Sequence, residues 1–217
     1  MLVNVFRKAL QRAWRLVKGQ SMGDANQLIF LKRHMPSVSG PVLEVGSKEY
    51  GSTSSFRKFY SRSEYVGVDL EAGENVDMVV DLTKGTDGLQ TGYFDLAICC
   101  SVLEHVARPW IFAEHLSNVM REGGTLYMSV PWVWSFHAYP DDYYRFSWRG
   151  VTELFPQFEW SKICYSTVVP GEFFDITPEN PRVDNDLALV LDTDDGKRKY
   201  LPYLMVNMLG RKKAVQS

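Results

Sequence analysis

The chain is predicted to be an α/β fold, a mostly parallel sheet with helices on both faces. Three observations predict it. Short, continuous, β-branched apolar runs recur up to Val130, and segments of helical periodicity separate them. The first run, in "VLEVGSKEYG", ends in an acid and a glycine, where open sheets of this class bind ligands. After Val130 the pattern changes, and two further strand-like runs suggest an antiparallel finish at one sheet edge.

Taken in order, residues 21–35 read as a helix stopped by Pro36, and "SVSGP" as a turn. Val42–Val45 is the first strand, and a helix is expected over Ser54–Ser61. "YVGVDL" (65–70), "DMVVDL" (77–82) and "FDLAICC" (94–100) follow as strands. Glu104 and His105 are expected to start the next helix, where an acid suits the helix dipole. Over 109–121, Phe112, Leu116 and Val119 share one helical face, and Gly123 and Gly124 are expected to cap its end. "TLYMSV" (125–130) is the fifth strand. Residues 131–148 hold eight aromatics, and a helix is expected over Trp148–Phe155. "WSKICYSTVV" and "YLPYLMVNML" read as strands on either side of an acidic, Pro-containing insert at 170–198.

Length and composition set bounds. A chain of 217 residues with 45% apolar and 23% charged content suits one globular domain, here 21–217, behind a terminal segment. The net charge of −2 gives no reason to expect nucleic acid as a partner. Cys99 and Cys100 are adjacent on a strand, so they point to opposite faces and are not expected to pair. Cys164 stands alone, and no CxxC pair calls for a metal. Buried thiols in a reducing, cytoplasmic compartment are expected. No apolar run is long enough to span a bilayer, and no signal-peptide core precedes a cleavage site. Residues 1–20 form a basic amphipathic helix by pattern. Val3, Phe6, Leu10, Trp14 and Val17 lie on one face and Arg7, Lys8, Arg12, Arg15 and Lys18 on the other. Peripheral contact of residues 1–18 with an anionic membrane and packing against the domain both fit that pattern.

Three ligand classes compete for the first loop. A phosphate-cradling loop needs lysine after the second glycine of Gly46-x-x-x-x-Gly51, and Ser52 stands there. A dinucleotide loop needs a second glycine where Lys48 stands. A phosphate-free, cationic cofactor such as S-adenosylmethionine fits the acids better. Glu44 ends strand one. Asp69 ends strand two, 23 residues after Gly46, where an acid can accept both ribose hydroxyls. Asp81 ends strand three, within reach of an adenine amino group. Each acid also has the plainer reading of a solvated strand end, and Asp95 reads as a structural tether.

The ordered set "VLEVGSKEYGS", "YVGVDL", "MVVDL", "FDLAICCSVLEHV" and "GGTLYMSVP" resembles the class I S-adenosylmethionine-dependent methyltransferases with the "LEH" signature. The resemblance covers about residues 40–131. It implies a Rossmann-like, seven-stranded, mostly parallel sheet with the last strand inserted antiparallel. It places Glu44, Gly46 and Ser47 at the methionine end, Asp69 and Leu70 on the ribose, Asp81 and Leu82 beside adenine, and Ser101 near the sulfonium. Gly51 and His105 complete the cofactor candidates, with His105 open to a packed, structural role. Lys48 replaces the family's middle glycine, so it either turns outward or meets the cofactor carboxylate.

The acceptor side is expected in "PWVWSFHAYPDDYYRFSW" (131–148). His137 or Asp141 could take a proton from a hydroxyl, histidine having the better pKa. Tyr139 and Tyr144 offer aromatic faces, and Arg145 and Asp142 polar contacts. The string also resembles the H-x-x-P-x-D-x-x-R motif of saccharide and cell-envelope methyltransferases, here His137, Pro140, Asp142 and Arg145. Asp142 and Arg145 could instead tie the loop down. The function implied is methyl transfer to a small molecule or glycan by direct displacement. The rivals are a protein or RNA methyltransferase and a cofactor-binding scaffold without catalysis.

Overall fold

The computed structural model describes residues 24–35, 38–50, 56–138, 140–193 and 196–214. The expected helix over 1–20, Gly51 and Tyr139 lie outside the described residues.

Eight strands form one sheet in the order β3-β2-β1-β4-β5-β10-β6-β7. They are β1 (Val42–Val45), β2 (Tyr65–Asp69), β3 (Met78–Val79), β4 (Phe94–Cys100), β5 (Met120–Val133), β6 (Phe158–Ser166), β7 (Phe173–Asp175) and β10 (Leu204–Lys212). The first five pair in parallel, and β10 runs antiparallel between β5 and β6. Helix α1 (Asp24–His34) lies on one face, and α2 (Pro109–Val119) and α3 (Trp148–Leu154) on the other. The acidic insert supplies β7, a short helix α4 (Val183–Asp186) and a separate hairpin of β8 (Leu189–Thr193) and β9 (Gly196–Tyr200).

Alternation along the central strands decides which side chain faces which layer. Leu96 and Ile98 join Phe30, Leu31 and Tyr127 on the α1 side. Ala97 and Cys99 join Phe112, Leu116, Val151 and Phe155 on the other. Phe30 stacks on Tyr127 with ring centroids 4.9 Å apart. The Tyr127 hydroxyl donates to buried Asn207 Oδ1 at 3.0 Å, and Asn207 Nδ2 donates to Ser166 Oγ at 2.9 Å. A polar chain thus ties β5, β10 and β6 inside an apolar layer.

Several expectations need correction. The resemblance implied seven strands; β7 adds an eighth at the edge. The late strands β6 and β10 make the expected antiparallel finish, with β10 inserted between β5 and β6 as the resemblance implied. Strand β3 is two residues long, because Asp77 turns back to accept the Gly67 N–H at 2.7 Å and to pair with Arg57. Helix α2 ends at Val119, and Gly123 and Gly124 belong to β5. Its last carbonyls are capped by Lys212 from β10, which donates to Ser117 O at 2.7 Å and Met120 O at 2.8 Å. Glu104 and His105 lie in a 3-10 turn, Leu103–His105, rather than at the start of α2. Of the helix expected over 54–61, the described part is a 3-10 turn at Arg57–Tyr60.

Candidate active site

A cavity of about 590 Å³ opens at the carboxyl ends of β1, β2, β4 and β5. Its walls include Glu44, Gly46, Ser47, Lys48, Asp69, Leu70, Asp81, Leu82, Ser101, His105 and His137. Eleven residues expected from the sequence are therefore brought together. Asp141, Asp142, Tyr144 and Arg145 do not line it.

The chain turns sharply after β1. Gly46 adopts φ of 76°, and a Cβ there would sit 2.3 Å from Val102 Cγ2, so glycine is required. Four successive backbone amides are already used in this turn. Those of Gly46 and Ser47 donate to Val68 O, that of Lys48 to Asp69 Oδ2, and that of Glu49 to Glu74 O. A loop whose N–H groups are spent cannot cradle a phosphate. The Lys48 ammonium turns to Glu71 Oε2, 2.6 Å away, and over the Tyr50 ring. Of the two positions open to it, the outward one is adopted.

The acids of this half differ in their surroundings. Glu44 is buried and accepts from the Tyr65 hydroxyl at 2.7 Å; burial pushes its carboxyl up to about 7, against that hydrogen bond. Asp69, on the cavity wall, accepts from Lys48 N at 3.1 Å and from Glu71 N at 3.4 Å and forms no side-chain ion pair among the described residues. Burial alone would raise the Asp81 carboxyl, but bonds from Thr83 and Lys84 hold it below its ordinary value. Ser101 sits in left-handed backbone at φ 54°, a costly conformation for a residue with a side chain. Its hydroxyl accepts from Gln27 Nε2 of α1 at 3.0 Å.

The acceptor half is built on the extended stretch after β5. Arg145 forks onto Asp142, with its Nη2 2.7 Å from Oδ2, and also donates to Trp134 O and Ser135 O. Asp142 in turn accepts the His137 N–H at 2.8 Å. The guanidinium beside Asp142 holds its carboxyl far below the usual range. This ion pair fixes the loop that carries His137. His137 Nδ1 lies 3.0 Å from Ser135 O, and His105 Nδ1 lies 2.6 Å from Asp141 O. The Asp141 carboxylate accepts from the Tyr143 hydroxyl at 2.9 Å. Tyr143 lines the cavity whereas Tyr144 packs on Phe146 and bonds Ala107 O, as neighbours on extended chain must diverge.

Gln27, Trp134, Tyr143 and Glu104 line the cavity and were missed. Gln27 carries no local signal, and Glu104 stands in the "LEH" string but reads there only as a helix start. Glu104 is 1% exposed, its Oε2 has no hydrogen-bond partner, and burial pushes its carboxyl up to about 8.

Residues 43–128 match the model of the family described as "Methyltransferase domain". That segment is a methyltransferase domain by this match. No curated protein matches the sequence. Among solved structures, a putative methyltransferase from Bacillus halodurans C-125 is 14% identical with a TM-score of 0.55, covering 86% of this chain and 99% of its own. A SAM-dependent methyltransferase from Archaeoglobus fulgidus is 13% identical with a TM-score of 0.58, covering 92% and 99%. The 1,6-didemethyltoxoflavin-N1-methyltransferase of Burkholderia thailandensis, solved with its acceptor and S-adenosylhomocysteine, is 14% identical with a TM-score of 0.54, covering 97% and 90%. At such identities the likeness is one of fold.

The methyltransferase domain takes S-adenosylmethionine as its cofactor, and the residues present fit it. The loop after β1 has no amide left for a phosphate between Gly46 and Glu49. Buried Glu44 faces the cavity, where burial outweighs the Tyr65 hydroxyl and the charge of Arg57, and the buried Ser47 hydroxyl has no hydrogen-bond partner. An amino-acid end and a ribose bring further donors to these groups, with Glu44 and Ser47 suited to the former and Asp69 to the latter.

Proposed function

We propose that the chain is an O-methyltransferase acting on a small polyhydroxylated acceptor such as a saccharide. The observation that carries this reading is the placement of His137 on the cavity wall, between aromatic residues, with its Nδ1 held by Ser135 O. An Nδ1–H bonded to a carbonyl leaves the Nε2 lone pair free to accept the proton of an acceptor hydroxyl. Trp134 and Tyr143 offer faces suited to a sugar ring. Asp142 and Arg145 are positioning residues that fix His137, and the Asp141 carbonyl orients His105. When bound, S-adenosylmethionine supplies an electrophilic methyl group on a cationic sulfur. The protein's own part is to hold the two reactants together and exclude water. Cys99, Cys100 and Cys164 form no disulfide, which suits a reducing, cytoplasmic setting. Among the described residues no helix is long and apolar enough to cross a membrane.

The test is transfer of an isotopically labelled methyl group to a panel of sugars and polyols, with calorimetry on S-adenosylhomocysteine. His137→Gln should keep cofactor affinity and lose turnover by about 100-fold or more. Labelling of an amine in preference to every hydroxyl acceptor would sink the O-methylation reading. Cofactor binding with no transfer to any acceptor would favour the scaffold.

A further inference from the structure

Glu104, His105 and His137 converge at the acceptor end of the cavity. His105 Nε2 lies 3.8 Å and His137 Nε2 3.9 Å from one oxygen, Glu104 Oε1. One donor atom from each of the three side chains falls within 4.8 Å of the others. These separations exceed hydrogen-bond length, so the three groups do not satisfy one another. Both rings are turned the same way by their second nitrogen. His105 Nδ1 is bound to Asp141 O at 2.6 Å and His137 Nδ1 to Ser135 O at 3.0 Å. A backbone carbonyl there fixes the proton on Nδ1 and aims the Nε2 lone pair away from it, the arrangement that orients imidazole for a metal. Two lone pairs therefore face a carboxylate. The other oxygen, Glu104 Oε2, is buried without a hydrogen-bond partner. Arg145 favours its charged form from a distance, but among the described residues no lysine or arginine pairs with this buried carboxyl.

We propose that Glu104, His105 Nε2 and His137 Nε2 form a site for a divalent transition-metal ion, with zinc the best match and its open coordination position toward the cavity. Two imidazoles and one carboxylate are a zinc donor set of the kind that leaves room for a further ligand. Magnesium and calcium prefer oxygen throughout. Zinc bonds of about 2.0–2.2 Å place tetrahedral donors roughly 3.4 Å apart, so the side chains close by about 0.5–1.5 Å. The catalytic consequence rests on the reading of this end as the acceptor site. With the ion bound, an acceptor oxygen in the open position is acidified and its proton passes to water, His137 serving as ligand; in the metal-free protein His137 Nε2 takes that proton.

The experiment uses the full chain, free of any histidine tag, titrated with Co²⁺ and then Zn²⁺. One Co²⁺ per chain is expected, with the visible absorption of a four- or five-coordinate ion, displaced by equimolar Zn²⁺ and not by excess Mg²⁺. Glu104→Gln and His137→Gln should each weaken Co²⁺ binding at least about 100-fold. Binding of S-adenosylhomocysteine to both variants, followed by calorimetry, reports that they remain folded. No stoichiometric Co²⁺ binding, or undiminished binding in both variants, overturns the site. Loss of S-adenosylhomocysteine binding by the unaltered chain would count against the methyltransferase reading and leave the metal result standing.

Discussion

Two buried carboxyls set the residue-scale behaviour of this site. Glu44 and Glu104 are raised by burial to about 7 and about 8, from an ordinary 4.5. A carboxyl whose folded pKa is raised favours folding while it is protonated. Its contribution is full below about pH 4.5 and is lost as pH rises through 7 to 8. The ligand-free protein should therefore lose thermal stability between pH 5 and pH 8, and Glu104→Gln should flatten that slope in melts across a pH series. Asp142 acts in the opposite sense. Its carboxyl is depressed by Arg145, so its share is present above pH 3.8 and lost on further acidification. Asp69→Ala removes the acceptor left open beside the loop after β1. Titration calorimetry should show S-adenosylhomocysteine affinity falling by about 10- to 100-fold, the worth of hydrogen bonds to a charged group. A Kd within twofold of the original would remove Asp69 from the ribose site.

At the scale of elements, polar clasps fix how the helices sit on the sheet. Asn26 of α1 donates to Thr167 O and Val169 O at 2.6 and 2.9 Å, and accepts from Gly171 N at 2.7 Å. Asn26→Ala strands these buried groups and should cost about 2–4 kcal/mol in a denaturant melt. Its neighbour Gln27 holds Ser101 at the cavity, so methyl transfer should fall too. Lys212→Met uncaps α2 and should cost about 1–2 kcal/mol with little change in cofactor affinity. The elements themselves were largely legible: β1, β4 and α3 fall close to their expected bounds because their apolar patterns are local signals, and the structure adds a Ser147 cap to α3. The end of α2 was not, because its cap comes from Lys212, more than ninety residues away in sequence.

For the whole molecule, the open cavity predicts a clear response to ligand. At a concentration about 100 times Kd, S-adenosylhomocysteine should add about 2.7 kcal/mol and raise Tm by roughly 5–10 °C. The same ligand should slow alkylation of Cys100, a partly exposed thiol on the cavity wall. Cys99 and Cys164 are buried and should react only on unfolding. Equal labelling rates for Cys100 with and without ligand would place the ligand elsewhere.

The sequence by itself determined the parallel half of the sheet, the glycine turn at Gly46 and the strand-end acids Glu44 and Asp69. Each depends on neighbours along the chain: strand alternation, a turn that tolerates no Cβ, an acid where the strand stops. The tertiary structure decided that His137 and not Asp141 lines the cavity, that Asp142 and Arg145 form a tie rather than line it, and that Glu104 meets two histidines. His105 and His137 are separated by 32 residues of strand, helix and loop, and only their shared position at the carboxyl edge of the sheet brings their rings within 4.9 Å. Burial at that meeting point sets the charge of Glu104, and burial is a property of the packed fold rather than of any short stretch of sequence.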